Sequence, residues 1–172
     1  MRSAAFRYLE RYSASTQSLR QFLKSRVRKT ININEIERQL AYKWIESLIE
    51  SLTERKFLDD RSFAEIRARA LFERGASTRR IIALLTEKGI DHSLITKALN
   101  TVYADYELPD LVAAIRYAKR KRIGPFRNQS VRNKNKQRDL GMLARGGFNF
   151  AVSSTVIDSA NADQLESQII DV

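Results

Sequence analysis

Apolar residues along this chain recur at spacings of three and four positions, a pattern typical of helices that bury one face. No stretch of the sequence alternates apolar and polar residues as a half-buried strand would. Prolines, which break helices, occur only at Pro109 and Pro125. We therefore predict an all-α fold.

The middle of the chain begins with a helix from about Arg61 to Arg74. Asp59 or Asp60 can accept hydrogen bonds from the free N–H groups at its start, and Gly75 can end it in the left-handed conformation. We interpret the two aspartates as caps and not as paired catalytic carboxylates. The predicted buried stripe consists of Phe63, Ile66, Ala70 and Leu71.

Two further helices complete this segment. Ser77 or Thr78 can cap the second helix, which we expect to end at Gly89, and Asp91 can cap the third. The middle segment therefore forms one unit of three helices.

The pattern of this unit recurs later in the chain. Gly147 follows Gly89 by 58 positions, whereas Gly124 follows Gly75 by 49, so the later copy carries an insertion of nine residues. A unit of this size cannot bury its apolar face alone and must stack on its neighbours. The other matched pairs are Leu84-Leu85 with Met142-Leu143, Ile90 with Phe148, Leu94 with Val152, and Ile66-Arg67 with Ile115-Arg116.

We predict three tandem three-helix repeats in an elongated, curved array. Repeat one, which is diverged, covers residues 1–57, repeat two covers 58–108, and repeat three covers 109–158 with a basic, loop-like insertion at about 127–135. Residues 159–172 form an acidic C-terminal tail that we expect to be loosely held.

The third helix of repeat one has the clearest signals. Asn34 followed by Glu37 predicts a capping box. Its apolar stripe is predicted to contain Ile36, Leu40, Trp44, Leu48 and Leu52, so Trp44 is expected to pack in the core.

The net charge of +11 arises at particular places in the chain. The first thirty residues carry eight basic residues and one acidic residue, and ten basic residues with no acid lie between Asp110 and Asp139. Such clusters favour a polyanionic partner or an acidic protein surface. The candidate binding residues are Arg20, Lys24, Arg79, Arg80, Lys119, Arg120, Lys121, Arg122, Arg127, Arg132, Lys134, Lys136 and Arg138.

Signals for catalysis are missing from the sequence. There is no cysteine, His92 is the only histidine, and no phosphate-binding loop or nucleophile elbow occurs. We expect neither an enzyme nor a metal or cofactor site. The absence of a membrane-length apolar run and of cysteine favours a soluble protein of the cytoplasm.

Two motifs carry a resemblance to a known family. The segments FLDDRSFAE at 57–65 and RGASTRRI at 74–81, followed by Leu85 to Ile90, strongly resemble the RecX regulatory proteins. The resemblance extends from Ala4 to about Ile157. The segment AFRYLERY at 5–12 and the basic insertion look most like the alphaproteobacterial branch.

The resemblance implies a modulator of the RecA recombinase that binds the RecA filament on single-stranded DNA. Such a protein would lie in the filament groove or cap a filament end, and would inhibit strand exchange and ATP hydrolysis without catalysis of its own. We expect it to be a monomer.

Two alternatives from other classes remain open. Arg79 to Leu99 superficially resembles a helix-turn-helix, which would make the protein a sequence-independent DNA-binding module. Alternatively, the segment from Lys119 to Arg138 could bind RNA, although Phe126 is its only aromatic ring.

Overall fold

The computed structural model describes residues 1–30 and 34–170, and in this part of the chain every regular element is helical. The prediction of an all-α fold is confirmed. Residues 31–33 of the predicted first repeat, and Asp171 and Val172 of the predicted tail, lie outside the described residues. The α-helices are α1 (Arg2–Leu9), α2 (Thr16–Arg28), α3 (Glu35–Glu54), α4 (Asp60–Glu73), α5 (Thr78–Glu87), α6 (His92–Tyr103), α7 (Pro109–Lys121), α8 (Gln129–Arg145), α9 (Phe150–Asp158) and α10 (Ala162–Ile170).

The chain divides into two compact units. The first comprises Met1–Ala64 and Leu85–Ile95, and the second comprises Glu65–Leu84 and Thr96–Val172. None of the described helices is both long and apolar enough to span a lipid bilayer.

The core of the first unit forms where α2 packs against α3. Leu19, Leu23 and Val27, spaced four residues apart on α2, are fully buried. On α3 the buried residues are Ile45, Ile49 and Leu52. Asn34 and Glu37 form the predicted capping box at the start of α3. Local signals therefore located this helix correctly.

The predicted buried stripe of α3 is wrong over its first half. Ile36, Leu40 and Trp44 are exposed, with 63% of the surface of Trp44 accessible. Apolar residues occupy two faces of this long helix, and α2 covers only the face that carries Ile45 and Ile49. Trp44 is therefore a surface residue.

The predicted stripe of α4 is also partly wrong. Ile66 is 65% exposed, whereas Phe63 is buried as expected. The buried positions that follow Phe63 are Ala64, Ala68 and Phe72. The buried face is therefore displaced around the helix from the predicted one, and its small alanine side chains allow neighbouring backbones to approach closely.

The caps predicted for the middle segment are confirmed. Asp59 accepts hydrogen bonds from the backbone N–H groups of Arg61 and Ser62. The backbone and side-chain hydrogen bonds from Ser62 lower the pKa of Asp59. Asp91 likewise accepts from Ser93. The glycines at 75 and 89 adopt φ angles of 74° and 73° and end their helices as predicted.

Helix α7 is the centre of the second unit. Val112, Ala113, Ala114, Ile115 and Ala118 are all buried, so apolar residues cover most of its circumference. Helices α9 and α10 both pack against it. Because α7 is enclosed, its last turn has a well-defined position relative to the other helices of this unit.

The insertion in the later copy is helical, which corrects the expectation of a loop. After a short 3₁₀ turn at Gly124–Phe126, the chain enters α8, whose N-terminal turns contain most of the inserted residues. Asn128 caps the helix by accepting a hydrogen bond from Ser130. Arg132 and Lys134 of the insertion therefore lie on a helix, whereas Arg127 precedes it.

The acidic C-terminal segment is also ordered, contrary to the expectation of a loosely held tail. Residues Ala162–Ile170 form α10, and Leu165 is 3% exposed. Glu166 accepts a hydrogen bond from Lys119 on α7 at 2.7 Å. Helix α10 therefore packs against α7 and is joined to it by this ion pair.

A junction between distant segments stabilises the first unit. The Ser15 hydroxyl at the start of α2 donates to the carbonyl of Lys88, 2.6 Å away. The adjacent backbone N–H of Thr16 donates to the carboxylate of Asp60 at 2.7 Å. The start of α2 is therefore tied to the start of α4 and to the end of α5.

The second unit contains a junction of the same construction. The Ser77 hydroxyl donates to the carbonyl of Gly146 at 2.7 Å, and the N–H of Thr78 donates to the carboxylate of Asp110 at 2.8 Å. Ser77 also accepts a hydrogen bond from the N–H of Arg80, so it caps α5. The same pair of residue types thus makes the same contacts in both units.

Candidate anion-binding groove

A cavity of about 730 Å³ in the second unit gathers basic side chains from several helices. We call this cavity the basic groove. Among the described residues that line it there is no Asp or Glu. Its five cationic residues are Arg74, Arg80, Arg120, Lys121 and Arg145, and the others are Leu71, Gly75, Ala76, Leu84, Tyr117, Met142 and Gly146.

Helix ends place these cations together. Arg74 follows the last residue of α4, Lys121 is the last residue of α7, and Arg145 is the last residue of α8. The close approach of Gly75 to α7 fixes this arrangement, since a Cβ atom at Gly75 would lie 2.5 Å from the backbone nitrogen of Tyr117. A larger residue would force the two helices apart.

The helix dipole explains only part of the positive charge. The C-terminal end of a helix carries a partial negative charge, which favours the cations Arg74, Lys121 and Arg145. Arg80 lies instead in the first turn of α5, where the dipole disfavours a cation. The dipole of its own helix therefore does not explain why a cation occupies position 80.

The cations of the groove are not neutralised within the described part of the chain. Their side chains are exposed, and no carboxylate of residues 1–30 or 34–170 forms an ion pair with any of the five. Arg120 lies over the ring of Tyr117, 5.7 Å from its centroid. Like charges in one cavity repel, so a bound anion would lower the electrostatic energy of the site.

The groove also has an apolar part. Leu71, Leu84 and Met142 line it and are half-buried. A ligand in this cavity would therefore meet aliphatic surface as well as positive charge.

Among the residues predicted from sequence, the structure brings Arg80, Arg120 and Lys121 together in the groove. Lys119, which is next to Arg120, is instead paired with Glu166. Lys136 forms an exposed ion pair with Asp158 at 2.7 Å.

Arg20 and Lys24 lie in the first unit and bind one carboxylate. Both approach Glu46 on α3 to 2.8 Å. The hydrogen bond from Lys24 lowers the pKa of Glu46, with a further contribution from Arg20. These two cations therefore connect α2 to α3.

Arg127 forms a partly buried ion pair. Its guanidinium donates two hydrogen bonds to the carboxylate of Asp139, at 2.8 and 3.2 Å. These bonds raise the pKa of Arg127. Asp139 is 1% exposed and also accepts from the N–H of Gly124. The charge of Arg127 therefore balances a buried acid at the position where the middle copy has the apolar Ile81.

Arg132 has a similar internal role. Its guanidinium donates to the carbonyl oxygens of Pro125, Arg127 and Ala160. These bonds join the start of α8 to the 3₁₀ turn and to the segment before α10.

The remaining candidates are exposed and lie outside the groove lining. Arg79 is in the first turn of α5, and Arg122 follows α7 with a φ of 53°. Lys134 and Arg138 lie on the exposed side of α8. These four side chains are available to a partner but do not line the basic groove.

Sequence reasoning missed Arg74 and Arg145. Each directly precedes a glycine that follows a helix, as RG at 74–75 and RGG at 145–147. Single cations at such positions are common because they stabilise the helix end. Their convergence depends on helix packing, so the repeated Arg-Gly pair was the only local signal.

The described residues show no candidate metal centre, since no three His, Asp or Glu side chains are grouped as ligands. The chemistry that the groove offers is electrostatic and hydrogen-bonding.

Comparison with known proteins identifies relatives along most of the chain. A family model described as RecX, second three-helix domain, matches residues 59–99, the stretch that holds α4, α5 and most of α6. No solved structure gives a significant match.

The chain is similar to proteins that carry the name Regulatory protein RecX. The protein from Myxococcus xanthus is 38% identical over 160 residues, which cover 92% of this chain and 84% of the relative. The protein from Agrobacterium fabrum is 34% identical over 102 residues, 59% of this chain and 52% of the relative. The protein from Mycolicibacterium vanbaalenii is 31% identical over 123 residues, 70% of this chain and 66% of the relative.

These matches do not confirm the suggested likeness to the alphaproteobacterial branch, because the Myxococcus protein matches at higher identity and over more of the chain than the Agrobacterium protein. They do confirm the family. Similarity over most of both sequences, together with the matching three-helix model, shows that this chain belongs to the RecX family of regulatory proteins.

Proposed function

We propose that this protein binds the filament that the RecA recombinase forms on single-stranded DNA, and that it inhibits strand exchange and ATP hydrolysis by RecA. It acts by occupation of the filament groove or by capping a filament end, without catalysis of its own. Its place of action is the cytoplasm, and it acts as a monomer.

The observation that carries this proposal is the basic groove. Five cations from several helices surround a cavity whose described lining includes no acid. Such a cavity suits a contact with an anionic surface, and both a nucleoprotein filament and an acidic protein segment provide one. Membership of a family of regulatory proteins supports a role in binding over one in catalysis.

We also propose that the fold consists of three tandem three-helix repeats in an elongated, curved array, with boundaries at 1–57, 58–108 and 109–158. The two junctions support this proposal, because Ser15 with Thr16 and Ser77 with Thr78 make equivalent contacts. An array would offer a long surface to several filament subunits at once.

The test is the rate of ATP hydrolysis by RecA on single-stranded DNA. The protein is added at substoichiometric amounts, either before or after filament assembly. Inhibition well below one copy per RecA supports the proposal. Stronger inhibition when the protein is added before assembly favours capping, whereas equal inhibition in both orders favours groove occupation.

Two matched double variants connect the activity to the groove. Arg80→Gln with Arg145→Gln removes two charges from the lining, and Lys134→Gln with Arg138→Gln removes two exposed charges outside it. We expect the first variant to need at least about tenfold more protein for half-inhibition. The second should change this value less than about threefold. Equal effects would contradict the assignment of the groove.

The alternative function is a sequence-independent DNA- or RNA-binding module. This alternative is supported by the exposed positive charge outside the groove, which is carried by Arg79, Arg122, Lys134 and Arg138. Tight binding to bare nucleic acid without inhibition of RecA would favour this alternative over the proposed function.

A further inference from the structure

The basic groove combines charge with aliphatic surface, and this combination narrows the choice of ligand. We propose that its occupant is an acidic segment of a protein that carries one aliphatic anchor side chain, and not a stretch of nucleic acid. This inference rests on the proposed function and names the chemistry of the contact made by that same site.

The apolar lining gives the first argument. Leu71, Leu84 and Met142 are half-buried and border the same cavity as the cations. A leucine-like side chain seated against them would remove apolar surface of both partners from water. A sugar–phosphate backbone offers only small C–H groups between its charged phosphates, so it would cover this surface less completely than a leucine-like side chain.

The aromatic content of the groove argues in the same direction. Proteins that hold single-stranded nucleic acid generally stack bases on exposed aromatic rings. Tyr117 is the only aromatic residue that lines the groove among the described residues. Arg120 lies over its ring, and the ring packs edge-on against Phe148 with centroids 5.8 Å apart. The single ring of the groove therefore already has two contacts within the protein.

The arrangement of the cations fits carboxylates on an extended or helical peptide. Arg74, Arg80 and Arg145 come from the ends of three different helices and line the same cavity. Guanidinium groups bind carboxylates through paired hydrogen bonds. Acidic residues on both sides of a central aliphatic residue would satisfy these groups while the anchor occupies the apolar part.

Methionine labelling provides a direct readout of the groove. The chain has two methionines, Met1 and Met142, and only Met142 lines the groove. With ¹³C-methyl methionine, each gives one NMR signal, so Met1 serves as an internal reference. Three probes are titrated: a short Glu- and Ser-rich peptide with one central Leu, the same peptide with Ser in place of Leu, and an oligothymidylate of matched charge.

We expect the Leu peptide to shift the Met142 signal and to leave the Met1 signal unchanged. The Ser peptide should bind about tenfold more weakly, because the anchor is lost. Arg80→Gln with Arg145→Gln should weaken the Leu peptide about tenfold or more, and Lys134→Gln with Arg138→Gln should change its binding less than about threefold. Circular dichroism of both variants checks that they remain folded.

Two results would overturn the inference. One is equal binding of the Leu and Ser peptides, and the other is a shift of Met142 by oligothymidylate at lower concentration than by the Leu peptide. Either result, together with intact inhibition of RecA, would reject the acidic peptide and leave the proposed function standing. If the unaltered protein binds the Leu peptide as expected but does not inhibit RecA, the proposed function is rejected and the inference about the acidic peptide stands.

Discussion

Ser77 at the start of α5 donates its hydroxyl hydrogen to the backbone carbonyl of Gly146 just beyond α8, with an oxygen–oxygen distance of 2.7 Å. Its side chain is fully buried and also caps α5 through the N–H of Arg80. Ser15 makes the equivalent bond to the carbonyl of Lys88 in the other unit. A single small hydroxyl therefore satisfies two backbone groups at each junction.

Replacing Ser77 by Ala should lower the free energy of unfolding by about 1–3 kcal/mol, because a cap is lost and a carbonyl is left without its partner. Ser15→Ala should have a similar effect. Urea denaturation followed by circular dichroism measures both values. Ser13→Ala is the control, since Ser13 is exposed, and its effect should stay within about 0.5 kcal/mol. A Ser77→Ala effect no larger than this control would contradict the importance of the junction.

Two glycines should respond to alanine in opposite directions. Gly75 has a φ of 74°, and an added Cβ would lie 2.5 Å from the nitrogen of Tyr117 and 2.8 Å from the oxygen of Ala113. Gly75→Ala should therefore destabilise the protein by about 2–4 kcal/mol. Gly141 lies within α8, and its added Cβ would meet only the flexible tip of Arg145.

Gly141→Ala should accordingly stabilise the protein by up to about 1 kcal/mol, because alanine favours the helix. Thermal and urea denaturation of both variants give the comparison. If Gly75→Ala were as stable as the original protein, the close approach of α4 and α7 at this residue would be wrong.

The ion pair between Arg127 and Asp139 should matter more than the exposed pair between Lys136 and Asp158. Asp139 is buried, so Asp139→Asn leaves the partly buried guanidinium without its counter-charge and should cost about 2–4 kcal/mol. Lys136→Gln breaks a pair whose side chains are about half exposed and should cost less than about 1 kcal/mol. Urea denaturation of the two single variants tests this order. A larger loss for Lys136→Gln would refute it.

Features set by neighbouring residues could be predicted from the sequence. The capping box of Asn34 and the helix ends at Gly75 and Gly89 depend on contacts within a few positions, and the structure has all of them. The family could be recognised for a similar reason, because its motifs are contiguous. Local interactions were therefore sufficient to predict where these helices begin or end.

Features set by packing could not be predicted in this way. Trp44 has the same helical spacing as buried residues of α3, and only the position of α2 decides that it is exposed. Arg74 and Arg145 are far apart in sequence and meet because α4 and α8 end at one cavity. The acidic segment similarly forms a helix that packs against α7 and buries Leu165, and this contact joins elements far apart in sequence.

The exposure of Trp44 has a spectroscopic consequence. Trp44 is the single tryptophan, and 63% of its surface is accessible. We expect acrylamide to quench its fluorescence in the folded protein nearly as efficiently as in urea, because solvent reaches the indole in both states. Steady-state quenching with and without denaturant measures this. A several-fold lower quenching constant in the folded protein would contradict the exposed position.

Acid should destabilise the protein partly through Glu46. Hydrogen bonds from Lys24 and Arg20 lower its pKa below the ordinary value of 4.5 in the folded state. A carboxylate with a lowered folded pKa contributes stability that is fully present above the unfolded pKa and is lost as pH falls through the folded pKa. The contribution of Glu46 should therefore be complete at neutral pH and disappear below about pH 4.5.

Glu46→Gln removes this titration and should flatten the decline of stability below that pH, while it leaves the contribution of Asp59 in place. Urea denaturation midpoints of both proteins between neutral and acidic pH provide the measurement. Parallel curves for the two proteins would show that Lys24 and Arg20 do not favour the ionised form of Glu46. A smaller difference at high salt is expected, because the ion pair is partly exposed and therefore screened.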